Sequence, residues 1–140
     1  MVKLLKIAGP DKSGKTTAAL MLVLAMLQGF QKKVGFIALE DTIESLLMRA
    51  KQAFGGDTKI KQGLFLSAPV DRRMDEVLDQ VKYLAESGAT YIVIDGLSNI
   101  IYEPRPETFT KLMESLDTLS EELKIEDLTI VLTVRTYLAR

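Results

Sequence analysis

Gly9-Pro10-Asp11-Lys12-Ser13-Gly14-Lys15-Thr16 matches the spacing G-x-x-x-x-G-K-[ST] at each fixed position. At ordinary residue frequencies those four positions recur by chance in about 0.5% of chains this long, so the match alone is selective. The residue types suit one kind of chemistry. Glycines let backbone N–H groups curl around phosphate oxygens, and a helix opening at the end of the loop adds a favourable dipole. Gly9, Pro10, Asp11, Lys12, Ser13, Gly14, Lys15, Thr16 and Thr17 then form a nucleotide-binding loop. In it Lys15 reaches the β- and γ-phosphates, Thr16 offers its hydroxyl to Mg²⁺, and Thr17 contacts the α-phosphate. Pro10 has no N–H to donate, and Asp11 brings a negative charge that must face solvent or pair with Lys12. The plain alternative is a strand-to-helix turn with a stray lysine.

A loop of this kind needs a strand before it and a helix after it, and the pattern supplies both. Val2 to Ala8 reads as a strand, and Lys15 to Gln28 as a helix apolar nearly all round, hence expected to be buried, closed by Gly29. Val34 to Leu39 is a second strand. Asp41, Thr42 and Glu44 then read as a helix cap with a capping-box partner, and Asp41 reads as part of that cap in preference to a catalyst. The helix they open carries Ile43, Leu46, Leu47, Ala50 and Phe54 on one face and ends at Gly55-Gly56. Leu64 to Leu66 is a short strand. Met74, Val77, Leu78, Val81, Leu84 and Ala85 repeat with the spacing of an amphipathic helix, which Gly88 ends before the strand Tyr91 to Asp95. Pro104 and Pro106 precede a helix with Phe109, Leu112, Met113, Leu116, Leu119 and Leu123 inward, and Leu128 to Val134 is a fifth strand. Alternation of strand and helix over the whole length predicts an α/β three-layer sandwich around a parallel sheet of about five strands, with residues 1–140 as one domain.

Tyr91-Ile92-Val93-Ile94-Asp95 is four apolar residues ending in an acid, the Walker B pattern that accompanies a Walker A loop. Asp95 is the expected carboxylate of the Mg²⁺ shell, together with Thr16. The residue after it is Gly96, so no catalytic glutamate stands there. Glu40, at the end of the second strand, is the candidate to polarise an attacking water, because ligands of open parallel sheets bind at the carboxyl ends of the strands. The bland reading of Glu40 is a solvated turn residue or a charge at a helix N-terminus. Arg135 is the first candidate, and Thr133 the second, to sense the γ-phosphate from the fifth strand. That role requires the fifth strand to lie between those of Gly9 and Asp95.

Composition removes most other chemistries. The chain has no Cys and no His, which excludes disulfides, thiolate or Ser-His-Asp catalysis and the usual zinc sites. Eighteen Lys and Arg against nineteen Asp and Glu leave a net charge of −1, which gives no support to a strongly basic nucleic-acid scaffold. Arg105 is the one cation of the loop Ser98 to Glu107, and a basic rim of Lys59, Lys61, Arg72 and Arg73 competes with plain solvated charge. No aromatic–basic stripe is present. The longest apolar run, Ala18 to Leu27, is half of what a spanning helix needs, so no membrane partner and a cytoplasmic setting are expected.

Taken together, the P-loop, Phe36-Ile37-Ala38-Leu39-Glu40-Asp41 before a helix containing Arg49-Ala50, and Ile92-Val93-Ile94-Asp95-Gly96-Leu97-Ser98 resemble the RecA-type ATPase core. That superfamily includes recombinases and their repair relatives, replicative helicases of the RepA and DnaB types, and KaiC-like proteins. The resemblance implies a sheet ordered 3-2-4-5-1 and Mg²⁺-dependent ATP hydrolysis with Glu40 as the catalytic glutamate. It also implies service in DNA recombination, repair or replication, with a homo-oligomer and single-stranded DNA as partners. Its members continue past the fifth strand, whereas this chain stops at Arg140 and carries Arg135 where many have glutamine. By that measure the chain reads as a C-terminally truncated fragment. Two other readings stay open: a P-loop transferase similar to corrinoid adenosyltransferases or type II thymidine kinases, and a nucleotide-gated binding module with little turnover.

Overall fold

A computed structural model describes residues 3–9, 14–29, 33–39, 42–54, 64–67, 73–96, 106–122, 124 and 128–135. Five strands, β1 (Lys3–Gly9), β2 (Val34–Ala38), β3 (Leu64–Ser67), β4 (Tyr91–Asp95) and β5 (Thr129–Arg135), form one sheet in the order β1-β5-β4-β2-β3. Every neighbouring pair is parallel. Four helices are described: α1 (Lys15–Gly29), α2 (Ile43–Phe54), α3 (Met74–Glu86) and α4 (Pro106–Glu122).

The period of two along each strand sorts the side chains between two cores. Val34, Phe36 and Ala38 of β2, Tyr91 and Val93 of β4, and Val131 of β5 pack with Ala19, Leu20 and Val23 of α1. The alternate residues Ile37, Ile92, Ile94, Ile130 and Leu132 pack with Val77, Val81 and Leu84 of α3 and Leu112 and Leu116 of α4. Helices therefore cover both faces, and strands β2 and β4 are buried at every position. The cost of lying on the α3 side is visible at Gly35. A Cβ there would sit 2.8 Å from Leu84 Cδ1 and 3.2 Å from its Cβ, so the missing side chain sets how closely α3 approaches the sheet.

Sequence and structure differ in places. Helix α1 is not buried all round: Ala19, Leu20 and Val23 face the core, while Thr17, Ala18, Met21 and Ala25 are exposed. The helix is an outer layer with sheet beneath one side only, and its outer side happens to carry Ala and Met. The cap of α2 is Thr42, whose Oγ1 accepts a 3.1 Å bond from Ser45 N; this puts Ser45, not Glu44, at the capping-box position. Asp41 lies outside the described residues. Helix α3 ends as expected at Gly88 (φ 104°), where Gly88 N donates to Ala85 O and Ala89 N to Leu84 O, a Schellman closure.

Candidate functional site

The carboxyl ends of β1, β4 and β5 meet the amino end of α1. Strand β1 stops at Gly9 and α1 begins at Lys15, after Gly14 in the left-handed region (φ 86°). A Cβ added to Gly14 would meet nothing within 4 Å, so the demand for glycine comes from the backbone conformation and not from a protein neighbour. Ala18 N donates to Gly14 O at 2.9 Å at the start of α1. Thr16 and Thr17 belong to the first turn, where the N–H groups of any α-helix lack carbonyl partners within the helix. Lys15 Nζ turns back across the loop and donates to Gly9 O at 2.9 Å.

Thr16 and Asp95 are in direct contact. The Thr16 hydroxyl donates to the carboxylate, 3.0 Å from Oδ2 and 3.2 Å from Oδ1. Register explains the meeting: Asp95 shares the parity of Tyr91 and Val93, whose side chains lie on the α1 side of the sheet. A second buried hydroxyl joins them. Thr133, paired with Asp95 across β4 and β5, donates to Asp95 Oδ1 at 2.6 Å and accepts from Gly96 N at 2.7 Å. Asp95 is fully buried and Thr133 is 1% exposed, and hydroxyl donors help to offset the cost of burying the carboxylate.

Other candidates divide according to what the structure describes. Leu39 N donates to Asp95 O, which brings the end of β2 level with the site; Glu40, the next residue, lies outside the described residues, as do Pro10, Asp11, Lys12 and Ser13. Arg135 stands opposite Gly9 in the β1–β5 register, with its side chain outside the description. Of the basic rim, Arg73 is exposed at the start of α3, while Lys59, Lys61 and Arg72 are outside the described residues. The sequence offered Thr133 as a second candidate to sense the γ-phosphate; the structure instead turns its hydroxyl to Asp95, a contact the sequence reading missed. A lone hydroxyl directly after the apolar run Ile130 to Leu132 demands a polar partner if it is buried, and that was the available signal.

Among the described residues no three His, Cys, Asp or Glu cluster to hold a metal by themselves. One carboxylate with one hydroxyl suits Mg²⁺, which keeps waters and binds through one or two carboxylates plus substrate phosphates. No described helix is long and apolar enough to cross a membrane. Neither the protein-family models nor the curated proteins contain a match to this sequence.

Proposed function

We propose that this domain binds MgATP in the loop from Gly9 to Thr17 and hydrolyses it, as a P-loop ATPase core of the RecA type. The observation that carries the reading is the contact between Thr16 and Asp95, because it joins the Walker A hydroxyl to the Walker B carboxylate at the mouth of the loop. The separation of β1 from β4 by one strand, β5, gives further support. In this reading Lys15 exchanges Gly9 O for phosphate oxygens, and the N–H groups at the start of α1 bind the same anion. Thr16 and Asp95 are the residues that would hold Mg²⁺. Bound there, the ion supplies neutralisation of charge on the phosphate oxygens. Glu40 is the proposed group that orients and polarises the attacking water, and Arg135 the proposed sensor of the terminal phosphate. Self-association and single-stranded DNA as a partner belong to the same proposal and rest on the resemblance alone.

Product analysis tests the reading. Incubation with ATP and Mg²⁺ alone is expected to yield ADP and phosphate in equal amounts, without an acceptor. Consumption of ATP only when a cobalamin or nucleoside acceptor is added would replace hydrolysis by group transfer. Tight ATP binding with no product would leave a nucleotide-gated binding module.

A further inference from the structure

Thr133 is a polar residue at a position that a buried strand would ordinarily fill with valine. It is 1% exposed, on a strand whose neighbours Ile130, Val131 and Leu132 are all fully buried. A buried hydroxyl without partners costs about 1 to 3 kcal/mol, so its hydrogen bonds decide whether it is tolerated. Both functions of this hydroxyl are used, and both point at one place. Its proton goes to Asp95 Oδ1 at 2.6 Å, the length of a charge-assisted bond, and its lone pair accepts Gly96 N–H at 2.7 Å.

The contrast with Thr16 is informative. Thr16 reaches the same carboxylate by a longer, shared contact of 3.0 and 3.2 Å, and Thr16 sits on α1 beside the phosphate loop. Thr133 approaches from β5 and is anchored to the first backbone N–H after β4, where Gly96 (φ 87°) turns the chain out of the sheet. The shorter contact, anchored in turn by Gly96 N–H, therefore sets the rotation of the carboxylate about its Cβ–Cγ bond. The hydroxyl has no proton left for a phosphate oxygen.

We infer that Thr133 is a positioning residue for the divalent cation: it fixes Asp95 in the orientation that the metal's ligand shell requires, and it ties that orientation to the turn at Gly96. The inference deepens the MgATP reading and rests on it. Partners that orient a metal-binding carboxylate typically change metal affinity about 10- to 100-fold when removed.

The test is a Mg²⁺ titration of ATP affinity in the intact chain, with a second measurement in excess EDTA, on wild type, Thr133→Val and Thr133→Ser. Thr133→Val is expected to raise the Mg²⁺ concentration at half-effect by about 10- to 100-fold, with metal-free affinity near wild type. Thr133→Ser is expected to restore the wild-type titration. If Thr133→Val does not fold, Thr133→Ala carries the same expectation. A valine or alanine variant that titrates with Mg²⁺ as wild type does would overturn the inference, as would equal weakening of metal-free and metal-dependent binding. Wild type that binds no ATP in either condition overturns the nucleotide reading as well, which separates the two failures.

Discussion

Thr16 and Asp95 stand 79 positions apart in the chain and share a hydrogen bond of 3.0 Å inside the protein. Each is brought there by a different element, the first turn of α1 and the last residue of β4. Asp95→Asn keeps the shape of the side chain but replaces an acceptor oxygen by a donor NH₂ facing two hydroxyl donors. The variant is expected to lose most of the gain in ATP affinity that Mg²⁺ gives, while metal-free binding persists. Paired titrations with and without the metal check this.

Gly35 offers a prediction independent of function. A methyl group there would press on Leu84, which is 1% exposed and has little room to rotate. Gly35→Ala is expected to destabilise the fold by about 1 to 3 kcal/mol through overpacking between β2 and α3. Urea denaturation measures it, and Leu84→Ala is expected to cost less in the Gly35→Ala background than in wild type, since it removes the crowded Cδ1.

Tyr91 makes stability depend on alkaline pH. Among the described residues its buried hydroxyl has no hydrogen-bond partner, and burial pushes the phenol above its ordinary value of 10.0. Below about pH 10 both folded and unfolded chains hold the proton, so this group adds no slope. As pH rises through that value the unfolded chain loses the proton first, the folded chain binds more protons, and stability falls. Tyr91→Phe removes this slope and also the orphaned hydroxyl. It is expected to match or exceed wild type by about 1 kcal/mol near neutrality, with the gap widening above about pH 10 in denaturation experiments.

The parts of the site that depend on short-range spacing were legible in the sequence: Gly14, Lys15 and Thr16 as the start of a helix, and Asp95 as the end of an apolar strand. The strand and helix alternation was equally readable, because parallel strands buried on both faces are continuous apolar runs. What escaped depends on long-range neighbours. The bond between Thr133 and Asp95 exists only because β5 lies beside β4, and the Tyr91 hydroxyl is buried by the core on the α1 side of the sheet. The exposed side of α1 was misread because Ala18, Met21 and Ala25 look like core residues in a helix with little amphipathic contrast. At α2, Asp41 and Thr42 are adjacent cap formers, and only the backbone bond from Ser45 distinguishes them.

Glu40 tests the proposed chemistry. Glu40→Gln retains size and hydrogen-bonding reach but removes the charge that polarises water. General-base contributions of about 10²- to 10⁴-fold correspond to roughly 3 to 5 kcal/mol of barrier. The variant is expected to bind MgATP as wild type does and to release phosphate slower by that factor in a single-turnover assay. An unchanged rate would move the base elsewhere.

The central claim is that the loop between β1 and α1 holds the phosphates of ATP through Lys15. Calorimetric titration of MgATP into wild type and Lys15→Ala measures it most directly. The account predicts saturable binding to wild type, and for Lys15→Ala a loss of about 1.5 to 3 kcal/mol, roughly 10- to 150-fold in affinity, with an unchanged thermal midpoint. Wild-type affinity in Lys15→Ala would contradict it.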